Sequence, residues 1–123
     1  MMAKKILLID DEPDVRQVLQ LTLELSYGWQ VETAASGWEG INKAKNLTPD
    51  AILLDIMMPD LDGVATLNQL QTYPETQQIP VIFLTAKLET DQKRYTETQA
   101  KAVLSKLIDP LVFGDKVISV LGW

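Results

Sequence analysis

Apolar residues along the chain fall into two kinds of stretch that alternate from one end to the other. Short continuous runs occur at Ile6–Ile9, Ala51–Leu54, Val81–Leu84 and Ala102–Leu104. A strand that is apolar at every position is covered on both faces, as in a parallel sheet between layers of helices. Gln30-Val31-Glu32-Thr33-Ala34 alternates instead, and this predicts an edge strand with one wet face.

The intervening stretches carry helical spacing and helix punctuation. Pro13 suits a first helical position, and Val15, Val18, Leu19, Thr22 and Leu25 follow as an apolar face. Ser36 and Glu39 have the spacing of a capping box ahead of Ile41 and Ala44, and Thr48-Pro49 closes that segment. Asp62 precedes Val64, Leu67 and Leu70, and Asp109-Pro110 precedes Phe113, Val117, Val120 and Leu121. Gly114 weakens this last helix, since glycine costs backbone entropy there. The segment Leu88–Thr98 has only Leu88 and Tyr95 as anchors and predicts the weakest helix of the chain. Five strand-then-helix units in series predict an α/β domain with a doubly wound, five-stranded parallel sheet of order 2-1-3-4-5, of the flavodoxin-like kind.

Composition narrows the chemistry. The 123 residues suit one domain, and 46% hydrophobic with 23% charged residues is ordinary for a globular chain. Neither Cys nor His occurs, which removes disulfides, thiolate nucleophiles, imidazole bases and Cys or His metal sites. A metal would have to be a hard cation held by oxygen. The net charge of −6 argues against a nucleic-acid partner, whose binding rests on phosphate neutralisation. No apolar run approaches the roughly 18 residues of a membrane span, and the run after Lys4 and Lys5 is shorter than a signal-peptide core. The expectation is a cytoplasmic domain without membrane or nucleic-acid contact. Trp29, Trp38 and Trp123 are expected in partial core or edge packing, with Trp123 also available to a dimer or partner surface.

In such a sheet ligands bind outside the carboxyl ends of the strands. There the first run ends in Asp10-Asp11, followed by Glu12, the third in Asp55, the fourth in Thr85 and the fifth in Ser105-Lys106. Taken singly, an acidic pair suits a helix start, Asp55 a turn, Thr85 a strand and Lys106 a solvated surface. Taken together, they converge on one crevice. Clustered carboxylates repel one another unless a cation intervenes. A carboxylate beside such a cation can act as nucleophile toward a phosphoryl group, with an ammonium and a hydroxyl meeting its oxygens. Asp10, Asp11, Asp55, Thr85 and Lys106 supply that set.

The stretches ILLIDDEPDVR, PDAILLDIMMPDLDG, IPVIFLTA and AVLSK, in that order and over nearly the whole chain, resemble the receiver domains of two-component response regulators, similar to the stand-alone chemotaxis (CheY-like) type. The resemblance implies that Asp55 is a phospho-acceptor served by a sensor histidine kinase or a phosphotransfer protein. It also implies Mg²⁺ (or Mn²⁺) bound by Asp11, Asp55 and the Met57 backbone carbonyl, with Asp10 acting through water. Thr85 and Lys106 would contact the phosphoryl group, and Ala86 would leave room for it. On this reading the chain is a phosphoprotein rather than an enzyme, with at most self-phosphorylation and autodephosphorylation.

Residues 1–123 are expected to form a single receiver domain with no effector domain. Output would then pass to a downstream target protein through the fourth helix, fifth strand and fifth helix, a surface also available for a homodimer. Three positions depart from the pattern. Leu107 stands where the family usually has a proline joined by a cis bond, and a cis bond before Leu costs about 2.5–4 kcal/mol. A trans bond, a reshaped loop and a displaced Lys106 are expected. Val103 stands where an aromatic switch residue is usual, and Gln99 where glycine is common. Two alternatives follow: a degenerate receiver acting as a phosphorylation-independent binding module, and an aspartate-nucleophile phosphotransferase or phosphatase. The latter is disfavoured by the lack of an acid-base carboxylate beside Asp55.

Overall fold

In the computed structural model, which describes residues 3–86, 98–107 and 109–123, strand and helix alternate as the apolar pattern requires. The strands are β1 (Lys5–Ile9), β2 (Gln30–Ala34), β3 (Ala51–Asp55), β4 (Val81–Thr85) and β5 (Ala102–Ser105). The helices among the described residues are α1 (Pro13–Tyr27), α2 (Gly37–Leu47), α3 (Gly63–Leu70) and α4 (Pro110–Leu121). All neighbouring strands pair in parallel, in the order β2-β1-β3-β4-β5. The helix expected over Leu88–Thr98 falls almost wholly on residues 87–97, outside the described residues. Among the described residues no helix is long and apolar enough to cross a membrane.

The continuous strands are apolar at each position because both faces are covered. Leu7, Ile9, Ile52, Leu54 and Phe83 pack against Ile41 and Ala44 of α2 and Leu67 and Leu70 of α3. Their strand neighbours Ile6, Leu8, Leu53, Ile82 and Leu84 pack on the other side against Leu19 and Leu23 of α1 and Phe113 and Val117 of α4. β2 lies at the sheet edge and alternates over residues 30–33, with Val31 buried and Gln30 and Glu32 exposed, but Ala34 breaks the pattern by being buried on the face of Glu32, against α2.

The predicted punctuation is present. Ser36 Oγ accepts from the Glu39 N–H at 3.2 Å and Glu39 Oε1 accepts from the Ala35 N–H at 2.9 Å, closing a capping box one residue early. Asp62 and Asp109 cap α3 and α4 by accepting from the Ala65 and Leu111 N–H groups.

Three expectations need correction. The buried face of α1 is Leu19 and Leu23, four residues apart, while Val18 and Leu25 are exposed, so the helix is rotated from the expected stripe. Trp38 is half-exposed on the first turn of α2, whereas Trp29 is buried and meets Trp123 edge to face at 5.4 Å. Gly114 is a packing requirement: a Cβ there would enter the ring of Tyr27, whose hydroxyl donates to Asp115 Oδ1 at 2.6 Å. At this glycine the Tyr27 ring of α1 fills the space a side chain would take.

Candidate functional site

At the carboxyl end of the sheet, the last residue of β3 and the residue after β1 are acidic and buried. Asp10 is fully buried and Asp55 is 2% exposed, while Asp11 is half-buried and Glu12 and Met57 are exposed above them. One carboxylate oxygen from each of Asp10, Asp11, Glu12 and Asp55 lies within 4.8 Å of the others. Thr85 ends β4 one position beyond the Leu84 that pairs with Asp55, and it pairs with Ser105 of β5, next to Lys106. The strand-end residues named from the sequence therefore meet at one place.

The loops at this end are fixed by their own backbones. After β1, Asp10 Oδ1 accepts from the Glu12 N–H at 2.8 Å, and Arg16 donates to the Asp10 carbonyl at 2.7 Å. After β3, the Gly63 N–H donates to the Ile56 carbonyl at 2.8 Å. A Cβ on Gly63 would lie 2.7 Å from both the Asp55 carbonyl oxygen and the Ile56 Cα, so only glycine lets α3 start this close to the acidic strand end. Asp60 in the same loop accepts from the N–H groups of Gly37 and Trp38 at 3.2 Å each, joining the loop to the positive end of α2. Burial works against this carboxylate, but the backbone donors hold its pKa below the ordinary value.

Lys106 extends from the end of β5 into the acidic cluster with its side chain only 5% exposed. Its Nζ lies 2.7 Å from Glu12 Oε1, 3.1 Å from Asp10 Oδ2 and 3.3 Å from Asp55 Oδ2. Of the three, only the Glu12 contact is a hydrogen bond (Nζ donating to Oε1); among the described residues Oδ2 of Asp10 and Oδ2 of Asp55 are buried and accept none. Asp55 Oδ1 accepts a long hydrogen bond from the Met57 N–H, at 3.4 Å.

The electrostatics follow from this crowding. Burial, then the charge of Asp10, push the Asp55 carboxyl up from 3.8 to about 7, against the pull of Lys106. Burial also raises Asp10, against the Glu12 N–H and Lys106. Burial alone would lower the Lys106 ammonium, but the hydrogen bond to Glu12 and the contacts with Asp10 and Asp55 outweigh it and raise its pKa. Buried acids with unsatisfied oxygens beside, among the described residues, one ammonium have the chemistry of a hard-cation site, since Mg²⁺ is held by one or two carboxylates. The residues present fit such an ion.

The expected consequences of Leu107 hold in part. No cis peptide bond occurs among the described residues, so the bond after Lys106 is trans. Lys106 nevertheless reaches Asp55, its Nζ 3.3 Å from Oδ2. Its N–H donates to the Thr85 carbonyl at 3.0 Å, the Leu107 N–H donates to Ser105 Oγ at 3.1 Å, and Glu12 holds the ammonium. Val103 is 6% exposed and part of the core beside α2 and α3. Tyr95, considered as a substitute aromatic, lies outside the described residues. The sequence reading gave Glu12 no role. The available signal was a glutamate immediately before Pro13 at the head of α1, a position that favours Ser, Thr, Asp or Asn.

Residues 6–117 match the response regulator receiver domain, and the chain belongs to this family of two-component signalling domains. It is 38% identical over 121 residues to the alkaline phosphatase synthesis transcriptional regulatory protein PhoP of Bacillus subtilis, covering 98% of this chain and 49% of PhoP. It is 38% identical over 106 residues to Protein PilH of Pseudomonas aeruginosa, covering 85% of this chain and 87% of PilH. The chain thus spans about half the length of PhoP and most of PilH. Its fold also matches the receiver domain of the sensor histidine kinase PA1611 of Pseudomonas aeruginosa, with a TM-score of 0.86, 26% identity and coverage of 99% of this chain and 100% of that one. In that structure a magnesium ion is coordinated in the active site cleft.

Proposed function

We propose that this receiver accepts a phosphoryl group on Asp55, in a Mg²⁺-dependent reaction, from the phosphohistidine of a sensor histidine kinase or a phosphotransfer protein. The observation that carries the proposal is the convergence of the Asp10, Asp11, Glu12 and Asp55 carboxylates within 4.8 Å beneath the Lys106 ammonium. An Asp55 oxygen attacks phosphorus as the phosphorus–nitrogen bond of the donor breaks, and the bonding pair leaves on the imidazole. Attack needs the ionised carboxylate, and the Lys106 ammonium beside Asp55 favours that form. Asp11, Asp55 and the Met57 carbonyl, with Asp10 acting through water, would hold a divalent ion, which would neutralise charge on the phosphoryl oxygens. Lys106 and Thr85 receive those oxygens on the opposite side. The modification adds about −1.5 to −2 charge, and the change is passed to a downstream protein through β5 and α4, together with the helix expected over Leu88–Thr98, which falls almost wholly outside the described residues.

A constitutive binding module is the competing reading, favoured by Val103, a buried aliphatic where an aromatic switch would stand. Acetyl phosphate distinguishes the two. The phospho-acceptor reading expects Mg²⁺-dependent labelling of the intact chain that is lost in Asp55→Asn. Mg²⁺ binding without labelling of the unmodified chain would establish the binding module. Repeated turnover of an external phosphoester would establish a phosphatase.

A further inference from the structure

Lys106 carries a long flexible stem, and Leu107 rather than a proline stands directly after it. Its ammonium nevertheless lies beside Asp55, and among the described residues its hydrogen bond goes outside the acid pair of β1 and β3, to Glu12 Oε1 at 2.7 Å. Glu12 is placed for this by its own backbone. Its N–H is held by Asp10 Oδ1 at 2.8 Å and its carbonyl by the Arg16 N–H at 3.1 Å. Its side chain makes no cap on α1 and reaches instead to the end of β5. An ammonium has three donors. Asp10, Glu12 and Asp55 surround it, and only the place facing Asp55 has to change hands when a phosphoryl group arrives.

We propose that Glu12 is a positioning residue, which holds the Lys106 ammonium over Asp55 before transfer and keeps hold of it afterwards, so that phosphoryl oxygens inherit the place facing Asp55. Glu12 thus keeps the ammonium beside Asp55 although Leu107, not a proline, follows the lysine through a trans bond. This role rests on the phospho-acceptor reading of Asp55.

The test compares the intact chain with Glu12→Ala and Glu12→Gln. The glutamine keeps a carbonyl oxygen able to accept from Lys106 while removing the charge. With acetyl phosphate at saturating Mg²⁺, Glu12→Ala is expected to lower the maximal labelling rate about 5- to 10-fold, and Glu12→Gln by no more than about 2-fold. Mg²⁺ affinity by calorimetry is expected to stay within about 2-fold in both. In metal-free protein, the ¹⁵N signal of the Lys106 ammonium should be protected from exchange in the unmodified chain and in Glu12→Gln, and lost in Glu12→Ala. Faster labelling in both variants would make Glu12 a competitor for Lys106 and overturn the proposal. A fall in Mg²⁺ affinity would make it a metal ligand, and an ammonium signal unchanged in Glu12→Ala would remove its hold on the lysine; either outcome also overturns it. An unmodified chain that takes no label refutes the acceptor reading first, before any variant is compared, and takes the assigned role of Glu12 with it.

Discussion

The two ends of the same central strands are built on opposite terms. At the amino end, polar groups meet partners in the backbone: Asp50 Oδ2 accepts from the Lys5 N–H at 2.8 Å, the Asp50 N–H donates back to the Lys5 carbonyl at 2.8 Å, and the Gln30 N–H reaches the Lys4 carbonyl. At the carboxyl end, among the described residues, Oδ2 of Asp10 and Oδ2 of Asp55 accept no hydrogen bond, and the Lys106 ammonium lies beside three carboxylates. Both ends are polar, and both hold an aspartate beside a strand. The difference is that one is exposed and satisfied whereas the other is buried and held in electrostatic debt, which is the condition under which a cation or phosphoryl group finds a use.

Removing the ammonium should break the contrast most sharply. Lys106→Met leaves Asp10 and Asp55 buried with no cation, and removing one partner of a buried pair costs about 3 kcal/mol. Both acids already have raised pKa values, and loss of the cation raises them further. A raised acid destabilises the fold only once it ionises, so urea unfolding should show a small loss near pH 5 that grows toward pH about 8. A pH-independent loss would mean that the lysine contributes packing rather than charge. Next in size, Gly63→Ala should cost about 2 kcal/mol through overpacking against the Asp55 carbonyl and the Ile56 Cα, and should lower labelling as well. Unchanged stability would show that α3 can shift away from the acidic strand end.

The charge itself is tested by Asp55→Asn in metal-free buffer. The Asp55 pKa rises from 3.8 to about 7 on folding, so its contribution is fully favourable below 3.8 and is lost as pH rises through about 7. The variant should therefore be more stable than the parent above pH about 7, by about 1–2 kcal/mol, with the gap closing in acid. Added Mg²⁺ should stabilise the parent more than the variant; equal stabilisation would place the ion elsewhere. The smallest effect belongs to the amino end, where Asp50→Ala should cost about 1 kcal/mol in unfolding and leave labelling unchanged. A labelling defect there would mean that the two ends are not independent.

The architecture was legible because it is written in local pattern. Continuous runs at Ile6–Ile9 and Val81–Leu84 announce strands covered on both faces, the alternation of β2 announces an edge, and Ser36 with Glu39 announces a helix start. The convergence of Asp10, Asp11, Asp55, Thr85 and Lys106 followed from strand order, since parallel strands put their carboxyl ends at one edge. What could not be read depends on contacts far apart in sequence. Gly114 looks like a weak point in a helix until Tyr27, from α1, is found in the space a side chain would fill. Leu107 suggests a misplaced lysine until Glu12, from the other end of the chain, is found holding it. Helical spacing counted Val18 and Leu25 as apolar face, but only packing decides the rotation of a helix about its axis.

The loop after β3 is anchored on three sides: Gly63 rests on the backbone of Asp55 and Ile56, Asp62 grips the first turn of α3, and Asp60 grips the first turn of α2. Asp55 therefore stands at the head of a loop tied down by short backbone contacts. On the phospho-acceptor reading proposed above, new negative charge on Asp55 would be met from across the cleft, where Thr85 ends β4 and Lys106 follows β5.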